Sequence, residues 1–317
     1  MTSKIISLTM NPTLDIGTSI DQVAPERKLR TSDVRYDPGG GGVNVARAVK
    51  RLGGTPTALF VSGAVFGDIV GELLQQEGVR HQRISVAGKG RIALAVTEKS
   101  SGQQYRFTLP GPPLRATECD AVLHRLSALT TPGAYVVLSG SLPPGVTPEF
   151  YSRAAQQIAQ EGARCILDTS GPALTEGLRQ GVYLVKPNMR ELTQLYGSEI
   201  HNEREQERAA QRLITDGKCE AVLLSLGAAG ALLATAEGSE RLRAPSVPIR
   251  SKVGAGDSMV AGTVLALSQG RPLRDSIRYG IAAGSAAVMT PGSELCRLAD
   301  TEQLYESLVA EHAPRGV

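Results

Sequence analysis

Three observations predict an α/β fold built on a mostly parallel sheet. Short apolar, β-rich runs alternate with amphipathic helical windows along most of the 317 residues, the rhythm of strands covered by helices on both faces. Apolar residues make up 41%, aromatics only 4%, and Trp is absent, so the core is Val, Leu, Ile and Ala, a vocabulary suited to buried parallel strands. Polar residues (Asn11, Ser139, Asp168, Lys186, Asn188 and Ser225) stand where the apolar runs end, and open α/β sheets bind ligands outside the carboxyl ends of their strands.

In chain order, "KIISLTM" reads as a strand and "GVNVARAVKRLGG" as a helix stopped by glycine. "TALFVSG" is a strand and "GDIVGELLQQEGV" a helix. "AYVVLSG" is a strand, with a helix from about Pro148 to Gly162. "RCILDTS", "VYLVKPN" and "AVLLSLG" are further strands separated by helical patterns, and from Ala255 onward the chain is mainly helical. Residues 13–36 and 90–109 break the rhythm with alternating runs such as "IALAVTE" and "QYRFTL" and no helix between them. They read either as surface hairpins or, the reading preferred here, as a separate small sheet forming a lid over the open end of the main one.

Composition narrows the function. The formal charge of +3 is spread along the chain, and with few aromatics this argues against nucleic-acid binding. Cys119, Cys165, Cys219 and Cys296, like His81, His124, His201 and His312, are too scattered for a zinc or redox motif. No stretch approaches a membrane span or a signal peptide, so a cytoplasmic protein with reduced thiols is expected.

The chemistry concentrates in "SKVGAGDSMVAGTVLAL", residues 251–267. Gly254, Ala255 and Gly256 precede an apolar helix and leave its first N–H groups open, an anion site at the positive end of the dipole. Asp257 at the same terminus is expected to stay ionised in that field. A carboxylate beside an anion pocket suits phosphoryl transfer to an alcohol, although Asp is also an ordinary helix-start residue. "LVKPNMREL", residues 184–192, also carries two readings. Asn188 and Glu191 can form a capping box, or Lys186 and Asn188 can face phosphates while Glu191 serves a magnesium shell. "YDPGGGGVNVARAVKRLGG", residues 36–54, sets four glycines before a helix, yet neither this cluster nor any other stretch supplies a P-loop or a dinucleotide fingerprint.

P-G-G-G-G-V-N, K-P-N-x-x-E and G-A-G-D, in that order, resemble the ribokinase-like (PfkB) carbohydrate kinases over essentially the whole chain. The resemblance implies a single domain over residues 1–317: a three-layer αβα sandwich with a mostly parallel central sheet and a small β-sheet lid. "MNPTLD", "QYRFTLPG" and "LSGSLPPGV" are similar to the phosphosugar branch. Relatives acting on fructose 1-phosphate or tagatose 6-phosphate usually carry Lys where this chain has Gly41, so the implied reaction is ATP-dependent phosphorylation of fructose 6-phosphate at its 1-hydroxyl. Another phosphosugar, or a catalytically silent nucleotide or sugar sensor, is the alternative.

By position the resemblance implies Asp257 as general base, with the backbone of Gly254, Ala255 and Gly256 as anion hole. Asp15, Gly39, Gly40 and Asn44 would hold sugar hydroxyls, the bare glycine backbone approaching the sugar. Arg91, Ser141 and Lys28 would bind the 6-phosphate, with Lys28 reaching across from a partner subunit in a homodimer formed through the lid. As isolated residues, Lys28 and Arg91 are also unremarkable surface cations. Lys186, Asn188, Glu191, Ser225, Gly227 and Gly230 would face ATP and Mg²⁺, and Ser285 the adenine. Carbonyls around Ser251, Val253, Ala287 and Thr290 would hold K⁺. Lys252 replaces the Thr usual in the family; it would either place a cation near the transferred phosphate or point to solvent.

Overall fold

The computed structural model describes residues 2–292 and 294–311; His312 lies outside them. The chain opens with β1 (Ile5–Thr9), β2 (Thr13–Ile20) and β3 (Ser32–Gly39), followed by α1 (Gly41–Arg51), β4 (Thr57–Gly63), α2 (Ala64–Gln76) and β5 (Arg80–Val86). Next come β6 (Ile92–Glu98), β7 (Gln104–Thr108), α3 (Ala116–Leu129), β8 (Tyr135–Ser139), α4 (Glu149–Gln160) and β9 (Arg164–Asp168). The chain continues through α5 (Pro172–Gly177), β10 (Val182–Val185), α6 (Met189–Tyr196), α7 (Glu203–Thr215) and β11 (Cys219–Ser225). It ends with β12 (Ala231–Thr235), β13 (Gly238–Leu242), α8 (Ala255–Ser268), α9 (Leu273–Val288) and α10 (Leu298–Glu311).

Nine strands form the main sheet in the order β13-β12-β11-β10-β9-β8-β1-β4-β5. All neighbours are parallel except the β11–β12 and β12–β13 pairs. The central strands are apolar on both faces because both are covered. Ile6, Leu8, Val136 and Leu138 pack with α3, α4 and α7, whereas Ile5, Tyr135 and Val137 pack with α1, α8 and α9. That alternation makes three layers of the short apolar runs. All four cysteines are free and buried in these layers.

Residues 13–36 and 90–109 do form a separate sheet, of four strands in the order β3-β2-β6-β7, and β3 runs on to Gly39. A helical window and three strands were not foreseen. β5 is a polar edge strand, β12 and β13 form an antiparallel hairpin that closes the other edge, and α3 carries charges around much of its surface.

Close packing, rather than only room for a ligand, explains the glycine run. A Cβ at Gly42 would lie 2.6 Å from the Leu8 carbonyl, and one at Gly41 2.8 Å from the Gly140 nitrogen and closer still to Ser139 Oγ. Gly40 has φ of 104°, a conformation open to glycine. These glycines let α1 start hard against the carboxyl ends of β1 and β8. The α8–α9 crossing uses the same device: a Cβ on Gly280 would meet Thr263 Oγ1 and approach the Met259 carbonyl at 2.6 Å. Gly280→Ala is expected to lower stability by about 1–3 kcal/mol through overpacking, read as a shifted urea midpoint; an unshifted midpoint would show that the two helices slide apart freely.

Candidate active site

The strand ends converge as the open-sheet rule requires. Gly254, with φ of 75°, caps α8, and the first helical bond runs from the Ser258 N–H to the Gly254 carbonyl at 2.8 Å. The N–H groups of Ala255, Gly256 and Asp257 therefore lack intrahelical acceptors. Asp257 occupies the third helical position, and its Oδ2 accepts a 2.9 Å hydrogen bond from Asn44 Nδ2 on α1. Beneath them Lys186, only 6% exposed, places its Nζ 2.9 Å from Asp168 Oδ1 at the end of β9. The same ammonium would lie 3.6 Å from a Cβ on Gly256, so cation, carboxylate and helix terminus form one cluster.

The electrostatics differ from the expectation for an ionised helix-terminal aspartate. Burial, and next the Asp168 carboxylate, push Asp257 up to about 6, against the pull of Asn44 and Lys186. Desolvation outweighs the helix dipole, and the carboxylate remains ionised only above that value. Asp15 is likewise raised to about 6, first by burial and then by Asp37, with Thr13, Arg106 and Arg47 opposing. Burial pulls the Lys186 ammonium down, but Asp168 holds it above its ordinary value.

Asp15 and Val253 line a cavity of about 270 Å³ between the smaller sheet and the segment before α8, with Arg35, Arg106 and Gly292. Gly39 lies against Asp15: a Cβ there would be 2.7 Å from its Cγ. Arg91 bridges the sheets, donating from Nε to the Leu109 carbonyl at 3.0 Å and from Nη1 to the Asn11 carbonyl at 3.1 Å. Asn11 Nδ2 in turn donates to Ser141 Oγ at 3.2 Å, so Arg91 and Ser141 flank one strand end. Lys28 is apart from them, exposed on the β2–β3 connection.

On the other side an open groove of about 540 Å³ is lined by Asn188, Ser225, Leu226, Gly227 and Arg241. The capping-box reading of the K-P-N-x-x-E stretch is realised: the Asn188 N–H donates to Glu191 Oε2 at 2.9 Å and the Glu191 N–H to Asn188 Oδ1 at 3.0 Å. Burial raises the Glu191 carboxyl, with Asn188 and Lys186 opposing. Gly230, with φ of 97°, packs on the Leu242 carbonyl, a structural reason for glycine there. Ser285 lies on α9 beside Gly284, which packs against the Ala255 carbonyl. Ser251 Oγ donates to the Gly292 carbonyl at 2.9 Å and accepts from the Val253 N–H at 3.2 Å. The Ala287 carbonyl receives the Thr290 hydroxyl at 2.8 Å. The Ser251 N–H also donates to the Val288 carbonyl at 3.2 Å, so the segment of Ser251 and Val253 lies against the end of α9, which holds Ala287, and the turn at Thr290, whereas Lys252 is exposed. Among the described residues, no group of three His, Cys, Asp or Glu side chains gathers to hold a metal.

The model of the pfkB family of carbohydrate kinases matches residues 8–300. The chain belongs to this family. The kinase is 46% identical over 313 residues, 99% of its length and 92% of the relative's, to ATP-dependent 6-phosphofructokinase isozyme 2 of Mycobacterium tuberculosis. It is 40% identical to the protein of that name from Escherichia coli, covering 96% and 99% of the two chains. Crystal structures of phosphofructokinase-2 from Escherichia coli superpose with TM-scores of 0.93 in complex with potassium and 0.91 in complex with fructose-6-phosphate. Each matches 98% of this chain and 100% of its own, at 40% and 39% identity. A tetrameric inhibited form of that protein superposes with a TM-score of 0.92 at 39% identity, over the same shares of the two chains. A ribokinase from Arabidopsis thaliana shares the fold alone, with 19% identity, a TM-score of 0.76 and coverage of 96% and 99%. The architecture is thus ribokinase-like.

Two participants escaped sequence reasoning. Asp168 is marked by the sequence only as a strand-end residue, and Arg47 is not singled out at all within the helix "GVNVARAVKRLGG"; it is buried at 1% exposure. A cation on the apolar face of α1 was the available signal.

The raised Asp257 has a consequence for stability. A folded value of about 6 against an ordinary 3.8 means that ionisation costs folding free energy above about pH 6, a cost that disappears below about pH 4. Asp257→Asn is expected to raise Tm at pH 7.5 by a gain that shrinks at pH 4.5, measured by calorimetry; a lower Tm at pH 7.5 would contradict the assigned environment.

Proposed function

We propose that the kinase transfers the terminal phosphoryl group of ATP to the 1-hydroxyl of fructose 6-phosphate. The observation that carries this reading is Asp257, a half-buried carboxylate at the N-terminus of α8, hydrogen-bonded by Asn44 and close to the Lys186–Asp168 pair. The identity to 6-phosphofructokinases supports the choice of sugar, and Gly41 supports it against fructose 1-phosphate and tagatose 6-phosphate.

Asp15, the Gly39–Gly40 backbone and the free edge of the Asn44 amide hold sugar hydroxyls, while Arg91 and Ser141 hold the 6-phosphate. Asp257 accepts the proton of the 1-hydroxyl as its oxygen attacks the terminal phosphorus. The bond to the bridging oxygen breaks, and ADP leaves with that electron pair. The N–H groups of Ala255 and Gly256 stabilise charge on the moving group, and Lys186, anchored by Asp168, adds a fixed cation. Lys186, Asn188, Ser225, Gly227, Gly230 and Ser285 face the nucleotide.

The Glu191 carboxylate beside Lys186 is a hard oxygen donor suited to Mg²⁺, held through water. Bound there with ATP, the ion supplies neutralisation of phosphate charge. The segment of Ser251 and Val253, the end of α9 at Ala287 and the turn at Thr290 offer carbonyl oxygens for K⁺, a role supported by the solvent-facing Lys252, which leaves the position to an ion. The smaller sheet acts as a lid that excludes water. Leu29, Val34, Tyr36 and Phe107 expose 40–56% of their surface there, which supports a homodimer through this sheet, with Lys28 reaching the partner's 6-phosphate site.

A coupled ADP-release assay tests the reading. Fructose 6-phosphate is expected to be preferred over fructose 1-phosphate, tagatose 6-phosphate and fructose; preference for one of the others would overturn the assignment. Asp257→Asn should cut turnover roughly 10²-fold or more with little change in ATP affinity, and near-normal turnover in the folded variant would remove the base. Replacing K⁺ by tetramethylammonium should lower turnover, and an unchanged rate would remove the cation site.

A further inference from the structure

Arg47 lies on α1 one turn from Asn44, with only 1% of its surface exposed. Its guanidinium is fully engaged. Nε donates to Glu77 Oε2 at 2.8 Å and Nη2 to Glu77 Oε1 at 2.6 Å, a bidentate pair with the residue that ends α2. Nη1 donates to the Pro38 carbonyl at 2.8 Å, on the last residues of β3, and to Asn44 Oδ1 at 3.4 Å. Asp37 Oδ1 is 3.6 Å from Nη2, and Arg51 Nη2 lies 3.6 Å from Glu77 Oε1. Despite burial, the Arg47 guanidinium holds the Glu77 carboxyl below its ordinary value, so the pair stays charged.

An arginine side chain only donates, and an ionised carboxylate only accepts. The Asn44 amide sits between one of each. Its oxygen must face Arg47 and its nitrogen must face Asp257; the opposite orientation would set two donors together at one end and two acceptors together at the other. Among the described residues, these two hydrogen bonds make that choice.

We infer that Arg47, clamped by Glu77 and the Pro38 carbonyl, is a positioning residue that fixes the Asn44 amide and through it aims the Asp257 carboxylate. This rests on the reading of Asp257 as the base. The clamp also ties that aim to β3, a strand of the smaller sheet, so the sheet that covers the sugar and the base that activates it share an anchor. The effect on proton transfer has a defined direction. Asn44 favours the ionised form of Asp257, against burial, Asp168 and Asp15, with Lys186 acting on the same side as Asn44. Loosening Asn44 therefore moves the acid limb of kcat to higher pH.

The test uses the double variant R47M/E77L, which removes both charges together, so that no buried cation is left without its carboxylate. The folded variant is expected to lose roughly tenfold or more in kcat, with KM for ATP within about twofold, and to show a raised acid limb. In an Asn44→Leu background the same pair of changes should have no further effect on kcat or on the limb, because the route through the amide is already cut. Arg47→Lys, which keeps the charge but gives up the fork, supplies a second variant with the same expected shift. A wild-type kcat and acid limb in either folded variant, or full additivity with Asn44→Leu, would overturn the inference. Failure of the wild-type chain to phosphorylate fructose 6-phosphate or any of the tested sugars would instead remove the reading beneath it.

Discussion

A single hydrogen bond, from Asn44 Nδ2 to Asp257 Oδ2 across 2.9 Å and 213 residues of sequence, is the constraint on which the site depends. It joins the first helix of the chain to the helix that carries the candidate base. Both helices must begin at the same end of the sheet and almost in contact for it to form. Parallel strand order brings β1 and β8 side by side, and the bare backbone at Gly41 and Gly42 then lets α1 start against their ends. A side chain at either glycine would press the helix away and part the amide from the carboxylate.

The electrostatic arrangement is a compromise of opposed demands. A base that works near neutral pH must be partly desolvated, and two carboxylates close together help to achieve it. Left alone, Asp168 and Asp257 would repel and weaken the fold. Lys186 stands between them and is bound to Asp168 at 2.9 Å, so the cluster carries one fewer uncompensated charge. What remains is a site that costs stability in the resting molecule, as active sites built from buried ionisable groups commonly do. That cost is offset by the aliphatic layers around it, where nearly every strand residue of β1, β8 and β9 is buried.

Much of this was legible in the residues. The parallel strands could be found because burial on both faces leaves an unbroken apolar run, and the site could be placed because polar residues ended those runs. The smaller sheet was readable from alternation without a helix. β5, "RHQRISV", was not, since its mostly polar residues are half-buried on both faces and so show no alternation. Arg47 was hidden for a different reason: a buried arginine is intelligible only with its partner, and Glu77 lies thirty positions further along, beyond any helical spacing. The glycine run was visible from the start, but its packing role depends on Leu8, Ser139 and Gly140, which no local pattern connects to it. Lys252 could be read either way until its exposure was known.

The most direct measurement is an infrared titration of the Asp257 carboxylate, taken as the difference between wild type and Asp257→Asn in ¹³C-aspartate-labelled protein. The expected result is a carboxyl band that converts to carboxylate around pH 6, and a lower midpoint when Asp168 is replaced by Asn. A band that titrates at an ordinary aspartate pH near 4 and ignores Asp168→Asn would contradict it.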